Sequence, residues 1–433
     1  MTTAVSRLRH SLQQLDQLGE ESRRIFTQLY ADAALEAAQA ADQRAARGLS
    51  LGPLDGKLVS VKDLLDVAGQ VTTAGAAMCR SNAPAEQDAP VVQRLRAAGA
   101  VIVGKTNMTE FAFSGVGINP HFGTPGNAVD AQRIPGGSSS GAGVSVGRKL
   151  VDIAIGSDTG GSVRIPAAFN GVVGFKPTQA RVSRDGAFPL SFTLDSLGPL
   201  AHSVADCAAA DAIMAGQAAA PLAQRSLRGL RIGLPQGLPW EKCSAEVQQT
   251  MDQAVAQLRT QGAVVSELPW QQLMAAPSQL QSEGTIIAAE AAAIHQDALV
   301  HQRDAFDPRV LSRMDKGRTL TAPFYVQLLQ KRQQWQARMD AAMQEVDMLL
   351  LPTIAITAPH IADLLSDDNA FFAANGLILR NTSIFNFYDL PALSLPAPQA
   401  AGALPVGCML VGQRMQDRSL LAMAAAVEQA LAQ

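Results

Sequence analysis

Three short stretches of this chain hold residue types that do chemistry. The first is IGSDTGGSVRIPAA (Ile155–Ala168), where an apolar run ends at Asp158 and Thr159, Gly160, Gly161 and Ser162 follow. Two glycines free the backbone of Cβ atoms, so consecutive N–H groups turn toward one point. Such a nest suits a developing oxyanion, and Ser162 at its end is a candidate nucleophile. The competing reading is a tight turn with a surface serine. The second stretch is PGGSSSGAG (Pro135–Gly143). By composition it reads as a flexible linker. Small helix-forming residues follow, so Ser138 and Ser139 approach a helix N-terminus, where unpaired N–H groups and the dipole favour negative charge. A hydroxyl there relays a proton or stabilises an oxyanion; a serine-rich helix cap is the alternative. The third is Lys62 in LVSVKDLL. Alternation puts Leu58, Ser60 and Lys62 on one strand face that otherwise reads as buried. Burial disfavours a charged amine, and a neutral lysine acts as a base. The alternative is a solvated lysine paired with Asp63 or Asp66.

Together the three stretches complement one another. A serine nucleophile needs a base, but His121 lies in a Gly/Pro-rich loop and His202, His295, His301 and His360 sit in unremarkable contexts. Ser–Lys pairs replace the Ser–His–Asp arrangement in some hydrolases. Lys62, Ser138 and Ser162 supply base, relay and nucleophile in that scheme. Asp158 and Arg164 flank the nucleophile and are expected to lock its loop, since a buried charge needs a partner. An alternative gives Arg164 a substrate carboxylate, with Arg133 and Arg380 as further candidates. GAGVSVG (Gly141–Gly147) does not follow a strand as a dinucleotide loop requires, and that reading is rejected.

The surrounding pattern supplies elements to hold these residues. Residues 5–48 read as helix, with Leu8, Leu12, Leu15 and Leu18 at helical spacing. GKLVSVKD reads as a buried strand, APVVQRLRAAGA as a helix and VIVGKTN as the next strand. VDIAIGSD, LRIGLP, AVVSEL, MLLLPT, PALSLPAP and PVGCMLVG read as further strands. Helices are expected from near Ser244, from about Thr321 to Val346, and over Ser419–Ala432. This alternation predicts an α/β fold: a mixed, largely parallel central sheet covered by helices on both faces. Residues 1–50 are expected to form a helical segment packed on a single domain of residues 51–433. Residues 270–345 are expected to form a mostly helical cap or added layer.

Bulk composition narrows the function classes. Of 433 residues, 47% are hydrophobic and 17% charged, which favours a large core over disorder. The formal net charge is −3 and no basic block appears, so no nucleic-acid track is expected. Four scattered cysteines without a CxxC imply neither a zinc site nor a disulfide framework, and they fit a reducing compartment. The polar N-terminus lacks a secretory h-region, and no apolar run is long enough for a membrane span. A cytoplasmic protein is expected, and a homodimer is compatible with the sequence.

The stretch PGGSSSGAGVSVGRKLVDIAIGSDTGGSVRIPAAFNGVVGFKPT resembles the signature of the amidase signature family. Flanking stretches are similar to it too: LDGKLVSVKDLLDVAG and AGAVIVGKTNMTEFAFSGVG upstream, and SLGPLAHSVADC, LLLPT, NFYDLPALSLP and LPVGCMLVG downstream. The resemblance covers almost all of the chain after residue 50. It implies the amidase signature fold and an amide hydrolase working through an acyl-serine intermediate. Ser162 would be the nucleophile, Ser138 the bridging serine after a cis peptide, and Lys62 the base. Backbone N–H groups of Thr159, Gly160, Gly161 and Ser162 would form the oxyanion hole. Gly137, Ser139, Asp158 and Arg164 would support the site. Ser140 stands where many members carry glycine. The family uses no metal and no cofactor, and the implied partner is a small-molecule amide. The alternative within the family is an A-type subunit of a glutamyl-tRNA amidotransferase-like complex supplying ammonia, for which the chain reads as short.

Overall fold

The computed structural model describes residues 3–398 and 402–432. Its strands are β1 (Phe26–Leu29), β2 (Leu58–Lys62), β3 (Val101–Thr106), β4 (Ile153–Ser157), β5 (Val173–Lys176), β6 (Leu197–Ala201), β7 (Arg231–Pro235), β8 (Val264–Leu268), β9 (Met348–Pro352), β10 (Ala392–Pro396) and β11 (Gly407–Val411). All belong to one mixed sheet, in the order β1-β3-β2-β4-β6-β5-β10-β11-β9-β7-β8. Parallel pairing sits in two blocks, β3-β2-β4 and β9-β7-β8. Between the blocks, β6, β5, β10 and β11 run antiparallel to their neighbours.

Both faces of the first block are buried, and the side chains alternate between two cores. Val59, Val61, Ile102, Ile153 and Ile155 pack with Val91, Leu95 and Val204 on one face. Leu58, Val101, Val103 and Ala154 pack with Leu8, Leu15, Ala38 and Val144 on the other. This period-two division is what a strand buried on both sides produces. Ser60 lies on the second face, where its hydroxyl is 3.3 Å from that of Ser145 in the helix Ser140–Gly147. Strand alternation puts Lys62 on that face as well, as the sequence pattern predicts.

The expected helix over residues 5–48 is divided. Helices cover Ala4–Leu18, Glu20–Ile25 and Ala31–Ala46, and β1 lies between the last two. Phe26–Leu29 leaves the helical path because it pairs antiparallel with β3 along the open edge of the sheet. β5 and β6 were also not anticipated. Both are short, and β6 carries Gly198 and Pro199, residues that locally signal a break. Tertiary pairing of β6 with β4 overrides that signal. Within residues 270–345, helices span Gln271–Leu280, Ile286–Ile294, Pro308–Arg318 and Ala322–Ala342. Met274, Ile286, Leu328 and Met339 share a core with Leu349, Leu351 and Met409 of β9 and β11.

Candidate active site

Lys62 ends β2 and is completely buried. Its Nζ lies 2.7 Å from Ser138 Oγ and 2.8 Å from Ser157 Oγ. Burial pulls the Lys62 amine down to about 7, against the opposing charges of Asp195 and Asp158. At neutral pH a large share of these amines therefore carries no proton. The sequence did not point to Ser157. It is the last residue of β4, which runs parallel beside β2 and so reaches the same end of the sheet.

The stretch that looked like a linker is packed. Residues 134–146 are all buried. The Gly137–Ser138 peptide bond is cis. Gly137 N donates to Gly115 O (2.8 Å), and Thr109 N donates to Ser138 O (3.0 Å). A Cβ on Gly137 would lie 2.7 Å from Gly117 N and 2.8 Å from Thr109 Oγ1, closer than real Cβ contacts. Glycine is present here for close backbone approach, not for mobility. Ser139 precedes the helix Ser140–Gly147 without a side-chain cap. Its N–H instead donates to Ser162 O (3.3 Å) and its Oγ to Ser157 O (3.3 Å), tying the two serine stretches together.

Beyond β4 the chain turns through Thr159, Gly160, Gly161 (φ +136°) and Ser162. Among the described residues, no protein acceptor takes the backbone N–H of any of these four. The next two amides, of Val163 and Arg164, both reach Asp158 Oδ2 (3.2 and 3.4 Å). Side chains from distant segments also hold the turn from outside. Thr159 Oγ1 donates to Asp195 Oδ1 (2.6 Å), whose other oxygen accepts from Leu190 N and Ser191 N (2.9 and 3.0 Å). Thr382 Oγ1 donates to Gly160 O (2.6 Å). Asn386 Nδ2 donates to Asp158 Oδ1 (2.8 Å). Asp195, Thr382 and Asn386 escaped the sequence reading because they come from distant segments.

Asp158 and Arg164 are both fully buried and form a bidentate pair at 2.9 and 3.0 Å. Burial alone would raise the Asp158 carboxyl. The Arg164 charge and hydrogen bonds outweigh it, with help from Lys176 and Asn386, and hold it at about 2. Arg164 also donates to Asn386 Oδ1 (2.6 Å), so its donors are spent inside the fold and not on a ligand. Arg133 is paired with Asp130 (3.0 Å), and Arg380 donates to the carbonyls of Glu241 and Pro239. Because Asp158 sits below the usual carboxylate range, its contribution to stability is present above the unfolded-state pKa of about 3.9. That contribution is lost as pH falls toward 2. Asp158→Ala leaves Arg164 as a buried unpaired cation, and is expected to cost about 3–5 kcal/mol in denaturant unfolding.

Ser162 is 3% exposed. Its hydroxyl has no hydrogen-bond partner in the protein among the described residues, so the structure joins Lys62 to Ser138 but does not join Ser138 to Ser162. Resting active sites often hold such bonds long until substrate arrives. Among the described residues, no group of three or more His, Cys, Asp or Glu side chains is placed to hold a metal ion. No helix among them is long and apolar enough to cross a membrane.

The Amidase family model matches residues 8–421, and the chain belongs to the amidase family. It is 35% identical over 404 residues to 2-amino-5-chloromuconic acid deaminase of Comamonas testosteroni, covering 92% of this chain and 87% of that protein. It is 36% identical over 450 residues to the A-type subunit of the glutamyl-tRNA(Gln) amidotransferase of Aromatoleum aromaticum (strain DSM 19018 / LMG 30748 / EbN1), covering 95% and 91%. A crystal structure of an amidase superposes with a TM-score of 0.86 at 32% identity, covering 99% of this chain and 96% of that one.

Proposed function

We propose that this member of the family is a stand-alone hydrolase of small-molecule amides, with Ser162 as nucleophile, Ser138 as relay and Lys62 as base. The observation that carries this reading is the contact of 2.7 Å from Ser138 Oγ to a buried amine held at about 7. The Lys62 lone pair takes the Ser138 proton, and Ser138 Oγ takes the proton of Ser162. Ser162 Oγ bonds to the amide carbon, and the carbonyl electrons move to oxygen. The four unpaired N–H groups of Thr159–Ser162 receive that oxyanion. Collapse breaks the C–N bond while Ser138 protonates the leaving nitrogen and recovers its proton from Lys62. Water then hydrolyses the acyl-Ser162 ester, and the acid departs. The scheme calls for no metal or cofactor. The four free cysteines are in keeping with a cytoplasmic setting.

A fluorophosphonate probe is expected to label the wild-type chain covalently and to leave Ser162→Ala unlabelled. Equal labelling of both would remove Ser162 as nucleophile. The second reading is an ammonia-supplying member of a larger complex, favoured by the likeness to the A-type subunit of an amidotransferase. Ammonia release from simple amides by the purified chain alone separates the two: the first reading expects it, the second does not.

A further inference from the structure

A cavity of about 220 Å³ opens beside the site. Ser157 and Thr159 are in its wall; Ser138 and Ser162 are not. It therefore borders the site through Ser157, the hydrogen-bond partner of Lys62, and through Thr159, the first residue of the glycine turn. Leu64, Phe188 and Phe192 give it apolar surface, and Arg184 is the one cation in its wall.

The Arg184 guanidinium is largely unspent. Nη1 donates to Phe192 O (2.6 Å), its sole hydrogen bond to a protein group among the described residues, and no carboxylate there forms an ion pair with it. Two carboxylates share the cavity wall. Asp195 has both oxygens occupied, by the Thr159 hydroxyl and by the Leu190 and Ser191 amides. Burial raises the Asp195 carboxyl, while the Thr159, Ser191 and Leu190 hydrogen bonds and the Arg184 charge pull it down. Asp185 is exposed and accepts from Ser183 Oγ (2.8 Å). Arg184 thus presents free donors in a planar fork, a shape that fits a carboxylate.

The wall that carries this fork is braced. Phe192 lies between Ser191 and Thr193, whose hydroxyls both bond to the buried carboxylate of Glu290, and Thr193 N donates to Glu290 Oε2 (3.1 Å). The Tyr325 hydroxyl donates to the same carboxylate. Two helices of the 270–345 region, Ile286–Ile294 and Ala322–Ala342, therefore fix the carbonyl that orients Arg184. Fixing a binding group before the ligand arrives lowers the cost of binding.

From this geometry we propose that the cavity is a subsite for an anionic group of the substrate, recognised by Arg184, so that the preferred amides are short ones carrying a carboxylate. The cavity is smaller than the roughly 300–1,000 Å³ typical of drug-sized ligand sites, which limits the acid arm to a few carbons. The proposal rests on the amide-hydrolase reading and adds the substrate class.

The test compares ammonia release from succinamate and adipamate with release from their neutral diamides, succinamide and adipamide. For the wild-type chain, kcat/KM is expected to be about 10- to 100-fold higher for the monoacid of at least one pair, the range of a charge-assisted hydrogen bond. Arg184→Gln is expected to bring that ratio to about one, chiefly through KM, and Arg184→Lys to restore part of it. A merely structural role would lower both members of a pair alike. Binding is read without turnover on Ser162→Ala protein: succinate is expected to raise its unfolding midpoint, and to leave Ser162→Ala/Arg184→Gln unmoved. A ratio untouched by Arg184→Gln, a wild-type preference for both diamides, or no midpoint rise overturns the subsite. Absence of ammonia from every amide and of probe labelling, with the succinate shift intact, overturns the hydrolase reading instead and leaves the anion subsite standing.

Discussion

Lys62→Ala is expected to slow acylation of Ser162 by about 10⁴-fold or more, measured as the rate of fluorophosphonate labelling and as kcat/KM for amide hydrolysis. The size follows from the contacts. Nζ is the only nitrogen bonded to Ser138 Oγ among the described residues, and no histidine among them hydrogen-bonds Lys62, Ser138 or Ser162. Lys62→Arg is the sharper control. It keeps a cation with hydrogen-bond donors, but a guanidinium does not deprotonate in the working range, so activity stays lost. Had Lys62 served only to orient Ser138, the arginine variant would recover part of the rate.

The same assignment fixes the pH profile. The amine works as a base only when neutral, and burial holds it at about 7. Below that pH it is protonated and the relay has no acceptor. Wild-type kcat/KM is therefore expected to rise with pH through about 7 and to level off above it, reporting the free enzyme. A rate that stays flat between about pH 5.5 and 9, or normal labelling of Lys62→Ala, would sink the base assignment.

How much of this was legible in the chain depends on the range of the interaction. Lys62 was readable because strand alternation is local: with Leu58 and Ser60 beside it, a polar end to a buried face stands out. Ser138 and Ser162 stand out as candidates from their stretches and from the family likeness, although PGGSSSGAG by composition says linker. What makes it rigid is backbone brought in from residues 109–117, which no local property of those nine residues records. Asp195, Thr382 and Asn386 brace the turn across 36, 222 and 228 positions of sequence, and nothing near Gly160 announces them. The arginines teach the same lesson in reverse. Arg164 drew attention by its place two residues after Ser162, yet Asp158 and Asn386 absorb its donors. Arg184 drew none, because a cation that lacks partners is visible only once every neighbour is in place.

Gly161→Ala is expected to lower kcat by about 10²- to 10³-fold with a much smaller change in KM, the loss that follows when one oxyanion donor is displaced. Two independent features set this outcome. The backbone at Gly161 has φ +136°, a conformation that residues with a Cβ rarely adopt. A Cβ there would also collide with Thr382 Oγ1 and stand 2.7 Å from Ile165 Cδ1. Thr382 cannot simply turn away, since the same hydroxyl holds Gly160 O at 2.6 Å. The turn must shift, and with it the amides of Gly160, Gly161 and Ser162. Ground-state binding of the amide depends less on those donors than the charged tetrahedral state does, so the effect falls on kcat. The double variant Gly161→Ala/Thr382→Ala separates the two features. It removes the clash with Thr382 but leaves the backbone demand, so only part of the rate is expected to return. Full recovery would make the clash alone responsible. A Gly161→Ala enzyme with unchanged kcat would show that the oxyanion is held somewhere other than this turn.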